Sequence, residues 1–82
     1  MISQTSLMAY QDLKPNLGQR QLEVYKAIKS LGQATDKEVS RRLGWPINCV
    51  TPRRLELVRA GIVMARATVR QDGRIATVWC II

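Results

Sequence analysis

The sequence of 82 residues predicts a single α+β domain in which three short helices precede a C-terminal β-hairpin. Apolar residues recur at helical spacing through much of the chain, and these runs end at Gly32, Gly44 and Gly61. Two β-rich runs then surround Asp72-Gly73, a pair that suits a two-residue hairpin turn. A chain of this length supports one modest core and is too short for a catalytic domain with a deep cleft.

The N-terminal residues 1–15 are predicted to be an extension of a domain that spans residues 16–82. Apolar residues of the extension recur at helical spacing, which favours a short amphipathic helix from about Ser6 to Leu13 that Pro15 stops. Such a helix either straps the core or forms a contact between two copies of the chain. The second alternative predicts a homodimer assembled through the N-terminal segment.

The first two main helices are expected at residues 17–31 and 36–43. Gly32 follows the first apolar run and can supply a left-handed C-terminal cap. Thr35 and Glu38 have the spacing of a capping box, in which each residue satisfies a free N–H group of the other. This signal places the start of the second helix directly after Thr35.

The third helix is expected over residues 48–60, with its end at Gly61. Asn48 and Thr51 are both good N-caps, so either can mark the start. Pro52 is tolerated in a first turn but costs about 3 kcal/mol in a helix interior. The regular part of this helix is therefore predicted to begin close to Pro52.

Residues 62–82 are predicted to form the hairpin, in a register set by its turn. In this register Gln71 pairs with Arg74 beside the turn, and Ala65 pairs with Cys80 near the open end. One face of the hairpin is then wholly apolar and is expected to cover the core. The other face is mixed near the open end and basic toward the turn.

The positive charge is concentrated in one segment. The formal net charge is +7, and residues 1–40 are nearly balanced, with five basic and four acidic side chains. Residues 41–74 hold eight arginines: Arg41, Arg42, Arg53, Arg54, Arg59, Arg66, Arg70 and Arg74. Only Glu56 and Asp72 oppose them there. The bias favours a polyanionic partner, and the alternative is a soluble domain that positive charge keeps monodisperse.

The composition argues against an enzyme, a cofactor and a metal site. The chain has no histidine, and Cys49 and Cys80 cannot by themselves form a zinc site. No paired carboxylates or Gly-rich phosphate loop replace the missing histidine as a source of catalysis. No apolar run approaches the roughly 20 residues of a bilayer span and no secretory signal is visible, so we expect a cytoplasmic protein with no membrane partner.

Two strings of the sequence resemble those of the winged helix-turn-helix family. They are T-D-K-E-V-S-R-R-L-G-W and V-T-P-R-R-L-E-L-V-R-A-G-I-V, similar to T-x-x-E-L-A-x-x-L-G and V-S-x-x-L-x-x-L-x-x-x-G-L-I of MarR-like and related bacterial or phage regulators. The resemblance covers residues 17–82. It implies a small transcriptional regulator that binds double-stranded DNA, with the third helix in the major groove and the hairpin as a wing along the backbone or minor groove.

The resemblance also implies which residues of the recognition helix meet DNA. Asn48, Thr51 and Arg53 lie near its start, where base edges and phosphates are reached. Capping is the competing role for Asn48 and Thr51. Arg53 is the candidate for bidentate guanine contact and hence the side chain expected to carry the most sequence information. Arg54 stands where the family has an apolar core residue, so either its stem crosses the core edge or Pro52 rotates the helix and exposes it.

The other candidate DNA contacts lie outside the recognition helix. Arg70 and Arg74 flank the hairpin turn and suit phosphate contacts, and Arg41 lies on the outer face of the second helix. A protein-protein interaction module is the main alternative function, since Ile47 and Leu55 are among the residues that would expose an apolar patch. RNA binding is a smaller alternative, because the chain offers few aromatic residues for base stacking.

Overall fold

The computed structural model describes residues 18–82, so the predicted N-terminal helix lies outside the described residues. This part of the chain has an α+β fold, as predicted, with three helices and one three-stranded antiparallel sheet. The helices are α1 (Gln19–Leu31), α2 (Asp36–Leu43) and α3 (Ile47–Arg59), and the strands are β1 (Gln33–Ala34), β2 (Val63–Gln71) and β3 (Arg74–Ile81). The strand order is β1-β3-β2, and the layout is compatible with that of a winged helix.

The predicted bounds of α2 are confirmed, as is its capping box. The Thr35 N–H donates to Glu38 Oε1 at 2.8 Å, and Thr35 Oγ1 accepts from the Glu38 N–H at 3.2 Å. The end of α1 at Leu31 is also confirmed, although its start at Gln19 lies two residues later than predicted. At that start the Gly18 N–H donates to the side chain of Gln21 at 2.9 Å.

The start of α3 differs from the prediction. The helix begins at Ile47 with Pro46 as its N-cap, so neither Asn48 nor Thr51 is the cap, and Pro52 lies in the second turn. The pyrrolidine ring of Pro46 disfavours helical backbone at Trp45, so the helix cannot extend back past Pro46. Pro52 cannot donate to the carbonyl of Asn48, but Asn48 is exposed and water can satisfy that carbonyl.

The strand β1 was not predicted. Its two residues pair with the end of β3, with Gln33 opposite Cys80 and Ala34 opposite Trp79. A two-residue strand is too short to show the alternation of apolar and polar residues by which strands are recognised. Its pairing makes β3 the central strand and ties the segment between α1 and α2 to the sheet.

The predicted register is confirmed beside the turn and wrong near the open end of the hairpin. Asp72 and Gly73 have φ values of 54° and 77°, as a two-residue hairpin turn of type I′ requires, and Gln71 pairs with Arg74. A bulge between Ala65 and Ala67 shifts the pairing, so that Ala65 lies opposite Trp79. One extra residue in β2 moves every later pair by one, which no turn rule can reveal.

The prediction that one whole hairpin face covers the core is also wrong. Val63 and Val78 are buried, but Ala67 and Val69, toward the turn, are exposed. The nine residues of β2 span roughly 30 Å at about 3.3 Å per residue, while the eight residues of α2 span roughly 12 Å. The helices are too short to cover the full length of the hairpin.

The core lies between the three helices and the open end of the sheet. Its buried residues include Val24, Tyr25, Ala27, Ile28, Ala34, Val39, Val50, Leu57, Ile62 and Val63. Every helix contributes at least one of them, so the helices have fixed positions relative to the hairpin. Within residues 18–82, no helix is long and apolar enough to cross a membrane.

Candidate functional site

A cleft of about 680 Å³ separates the hairpin from α2 and the start of α3. We call it the hairpin cleft. Its exposed lining residues include Arg41 of α2, Ile47 of α3, and Arg74 and Ile75 of β3. The cleft brings together basic and apolar side chains from three separate parts of the chain, which makes it a candidate partner surface.

Arg54 lies against this cleft as one half of an ion pair with Asp36. Its Nε and Nη2 donate to the two carboxylate oxygens at 2.9 and 2.8 Å, and its guanidinium lies 4.1 Å from the centre of the Trp79 ring. The Arg54 and Asp36 side chains are 13% and 14% exposed. The alternative in which Pro52 exposes Arg54 is therefore wrong. A paired and stacked guanidinium thus occupies the position where the winged helix-turn-helix pattern has an apolar residue.

Thr51 belongs to the same cluster. Its hydroxyl donates to Asp36 Oδ2 at 3.0 Å, so it links the second turn of α3 to the first turn of α2. Asp36 is thus a shared acceptor for two of the predicted site residues, Thr51 and Arg54. Both side chains hold α2 and α3 together, and a DNA contact from either one stays a prediction.

Arg53 lies on a different side of α3. Its Nε and Nη2 donate to the carboxylate of Glu56 at 2.8 and 3.1 Å, and Glu56 also accepts from Gln21 of α1 at 2.6 Å. With 3.6 residues per turn, Arg53 is rotated about 140° from Asn48 around the helix axis. The two predicted base contacts therefore do not share a face, and the guanine contact of Arg53 stays a prediction.

The contacts of Glu56 also set its acidity. The hydrogen bond from Gln21, and then the one from Arg53, hold the pKa of the Glu56 carboxyl below its ordinary value because both favour the ionised form. Glu56 therefore stays charged around neutral pH and keeps its contact with Arg53. The sequence indicated this pair only weakly, through the three-residue spacing of Arg53 and Glu56 on a helix.

The turn of the hairpin is fastened to the start of α2. Thr35 Oγ1 donates to the side-chain oxygen of Gln71 at 3.1 Å, and Lys37 forms an ion pair with Asp72. The position of the turn relative to α2 therefore does not depend on the strands alone. Arg70 and Arg74 flank this fastened turn, so their backbone positions are fixed as well.

Three of the predicted arginines are exposed and, within the described residues, have no ion-pair partner. Arg41, Arg70 and Arg74 are exposed, and within residues 18–82 none of them contacts a carboxylate. The five described carboxylates all accept a hydrogen bond from other side chains or the backbone: Glu23, Asp36, Glu38, Glu56 and Asp72. The positive charge of these three arginines is therefore directed to solvent.

The outward face of α3 carries four uncharged residues and one arginine. Ile47, Asn48, Pro52, Leu55 and Arg59 are exposed there. At about 100° per residue, Asn48, Pro52, Leu55 and Arg59 lie within about 60° of one another around the helix axis and form one stripe, with Ile47 at its edge, about 80° from Leu55. Their helical spacing was readable from the sequence. Which stripe faces outward was not, because it depends on the packing of Val50 and Leu57 against the core.

Comparisons with known proteins add no relative to this picture. No protein-family model matches the chain, and no curated protein matches it at a significant level. The resemblance to winged helix-turn-helix regulators therefore depends on the sequence strings described above.

Proposed function

We propose that this protein is a winged-helix protein that binds double-stranded DNA and acts as a small bacterial or phage transcriptional regulator. In this proposal α3 is the recognition helix and the β2–β3 hairpin is the wing. The order of helices and strands supports it, as does the close coupling of α2 to α3 through Asp36. A helix-turn-helix needs such coupling because the first helix positions the second in the groove.

The observation that carries the proposal is the set of exposed, unpaired arginines. Arg41 and Arg74 line the hairpin cleft, and Arg70 lies on the other side of the same turn. The planar guanidinium group matches phosphate oxygens in pairs, and no described carboxylate competes for these three. Wing and α2 then contact the DNA backbone on either side of the start of α3.

The proposal assigns different roles to the predicted site residues. Arg41, Arg70 and Arg74 bind phosphates and position the protein, while Asn48, exposed in the first turn of α3, meets a base edge. Of the other three predicted residues, Thr51 and Arg54 hold α3 against α2 through Asp36, and Arg53 orients Glu56, which binds Gln21 of α1. They are positioning residues in this proposal.

Binding to random-sequence duplex DNA at several salt concentrations tests the proposal. Six arginines between residues 41 and 74 are exposed: Arg41, Arg42, Arg59, Arg66, Arg70 and Arg74. Six phosphate contacts imply a slope of log affinity against log salt of about −5, at about 0.9 per contact. Binding with a slope near zero, or no binding to duplex, would overturn the proposal.

A protein-protein interaction module is the second candidate. The exposed apolar side chains Ile47, Leu55 and Ile75 favour it, because two of the three line the hairpin cleft and a partner protein could cover them. The duplex titration separates the candidates. An interaction module predicts no salt-dependent duplex binding, while a DNA-binding protein predicts it with the slope given above.

A homodimer on DNA is part of the proposal. One short recognition helix reads only a few base pairs, and two-fold assembly is the usual way to lengthen the site. The candidate interface is the segment 1–15, which lies outside the described residues. We expect the full chain to be a dimer and a chain that starts at Asn16 to be a monomer, with a shorter footprint on DNA. The same oligomeric state and footprint for the two chains would exclude this interface.

A further inference from the structure

We infer that the outward face of α3 recognises thymine methyl groups, so that the DNA sites of this protein contain A·T pairs under Ile47 and Leu55. The inference rests on the proposed DNA-binding function and concerns its specificity. The residues involved were singled out in the sequence only as an apolar patch. Because they lie on the proposed recognition helix, they can contact bases as well as a protein partner.

The outward face of α3 is mainly apolar where bases would be read. Ile47 is about half exposed and Leu55 is 38% exposed, and about 80° separates them around the helix axis, while Pro52 lies about 60° beyond Leu55 on the side away from Ile47. Asn48, beside Ile47, is the exposed amide of this stripe. A helix buried in a protein core would place such side chains inward, but here Val50 and Leu57 take the inward positions.

The charged and hydroxyl side chains of α3 are engaged elsewhere. Arg53 is bound to Glu56, Arg54 to Asp36, and the Thr51 hydroxyl also to Asp36. Arg59 is exposed, but it is the last residue of α3 and lies roughly 16 Å along the axis from Asn48. A guanidinium suited to guanine is therefore missing from the first turns of the helix, which are the part that reaches base edges.

The groups that the bases present in the major groove show what an apolar helix face can contact there. The thymine C5-methyl is the apolar group that the four bases present there, and apolar side chains contact it. Asn48 complements the adenine of an A·T pair, because its amide can donate to N7 and accept from N6. Charge complementarity places this face on DNA, since Arg41 and Arg74 stand exposed across the hairpin cleft from one another and Arg59 ends the same helix.

Replacing thymine by deoxyuridine tests the inference, since uracil keeps every hydrogen-bonding group and lacks the methyl. The full chain first selects its preferred site from a random-sequence duplex pool. Each thymine of that site is then replaced singly by deoxyuridine, and affinity is measured by fluorescence anisotropy. We expect a loss of about fourfold for each contacted methyl, which is the fold-change equivalent of burying one carbon group.

Alanine variants of Ile47 and Leu55 show which side chain contacts which thymine methyl group. Ile47→Ala should abolish the difference between thymine and uracil at one position of the site, and Leu55→Ala at another. Leu31→Ala is the matched control, because Leu31 is 39% exposed and lies at the end of α1. It should keep the full discrimination. Thermal unfolding followed by circular dichroism checks that each variant is folded, and either of the two α3 variants suffices for the test.

Three outcomes would overturn the inference in distinguishable ways. Equal affinity for thymine and uracil sites, with salt-dependent binding retained, would remove the methyl contact and leave the proposed function standing. Discrimination that survives both Ile47→Ala and Leu55→Ala would assign it to other residues. Absence of duplex binding by the full chain would remove the proposed function together with the inference, and the apolar face would then belong to a protein partner.

Discussion

Arg53 and Arg54 of α3 have the same chemistry as Arg41 of α2 and Arg70 and Arg74 of the hairpin, but opposite surroundings. Arg53 and Arg54 each form two hydrogen bonds to a carboxylate of the same chain. Arg41, Arg70 and Arg74 are exposed and, across residues 18–82, have no such partner. Arg53 and Arg54 are therefore paired within the chain, while Arg41, Arg70 and Arg74 remain available to a polyanion.

The difference arises from where the acidic residues lie. Glu56 is one turn from Arg53 on the same helix, and Asp36 begins α2, which packs against α3. The arginines at the hairpin turn have Asp72 beside them, but Lys37 occupies that carboxylate. The number of arginines in a segment therefore overstates the charge that a partner can meet there.

The largest expected effect comes from Arg54→Ala. Removing one partner of a mostly buried ion pair leaves Asp36 charged and poorly solvated, so we expect a loss of about 2 to 3 kcal/mol in the free energy of unfolding. Urea unfolding at neutral pH measures it. Arg70→Ala is the control, since Arg70 is exposed and should stay within about 0.5 kcal/mol of the wild type. Equal stabilities for the two variants would contradict the paired role of Arg54.

The second prediction is that Asn48 contacts a base edge and Arg53 does not. The placement of Arg53 beside Glu56 predicts that Arg53→Ala leaves the preferred DNA sequence unchanged. Asn48→Ala should relax the preference at an adenine, with a loss of roughly 1 to 3 kcal/mol of discrimination. Parallel site selection with the wild type and both variants measures this. A relaxed guanine position in Arg53→Ala would support the sequence-based hypothesis instead.

The third prediction concerns Arg70 and Arg74. Replacing both by alanine should weaken binding to all sequences about equally, by about tenfold at low salt, because phosphate contacts carry no base information. A variant with Lys26 and Lys29 replaced by alanine is the control, since it loses the same charge from α1. Its affinity should fall less. A change confined to one base position would argue against phosphate contacts by the hairpin turn.

The smallest expected effect is the pH dependence from Glu56. Because its pKa is lowered in the folded state, Glu56 contributes stability above its ordinary pKa, and this contribution is lost as the pH falls through the lowered value. Glu56→Gln should therefore be less stable than the wild type at neutral pH, by less than about 1 kcal/mol for an exposed pair, and the difference should shrink at about pH 3. A difference that grows on acidification would contradict this.

Local signals predicted the parts of the fold that depend on neighbouring residues. The capping box of Thr35 and Glu38 gave the bounds of α2, and Asp72-Gly73 gave the turn and the register beside it. The bulge near Ala65 and the strand β1 depend on contacts between distant segments, which no local pattern encodes.

The residues of the candidate site were likewise predictable only where the signal lies in the local sequence. Charge counting found the exposed arginines but could not show that Asp36, 18 residues from Arg54, neutralises that side chain. It also could not show which stripe of α3 faces outward. Leu55 is exposed because Val50 and Leu57 fill the core, and that choice depends on how α3 packs on α1 and the sheet.

The central claim is that Arg41, Arg70 and Arg74 are available to a polyanion, while Arg53 and Arg54 are paired within the chain. The most direct test compares the salt dependence of DNA affinity between the wild type and a variant in which Arg41, Arg70 and Arg74 are replaced by alanine. Both proteins are titrated with the same random-sequence duplex over a series of salt concentrations. If these three arginines bind phosphates, the slope of log affinity against log salt becomes shallower by about 3 in the variant, at about 0.9 per contact. Identical slopes for the two proteins would contradict that role.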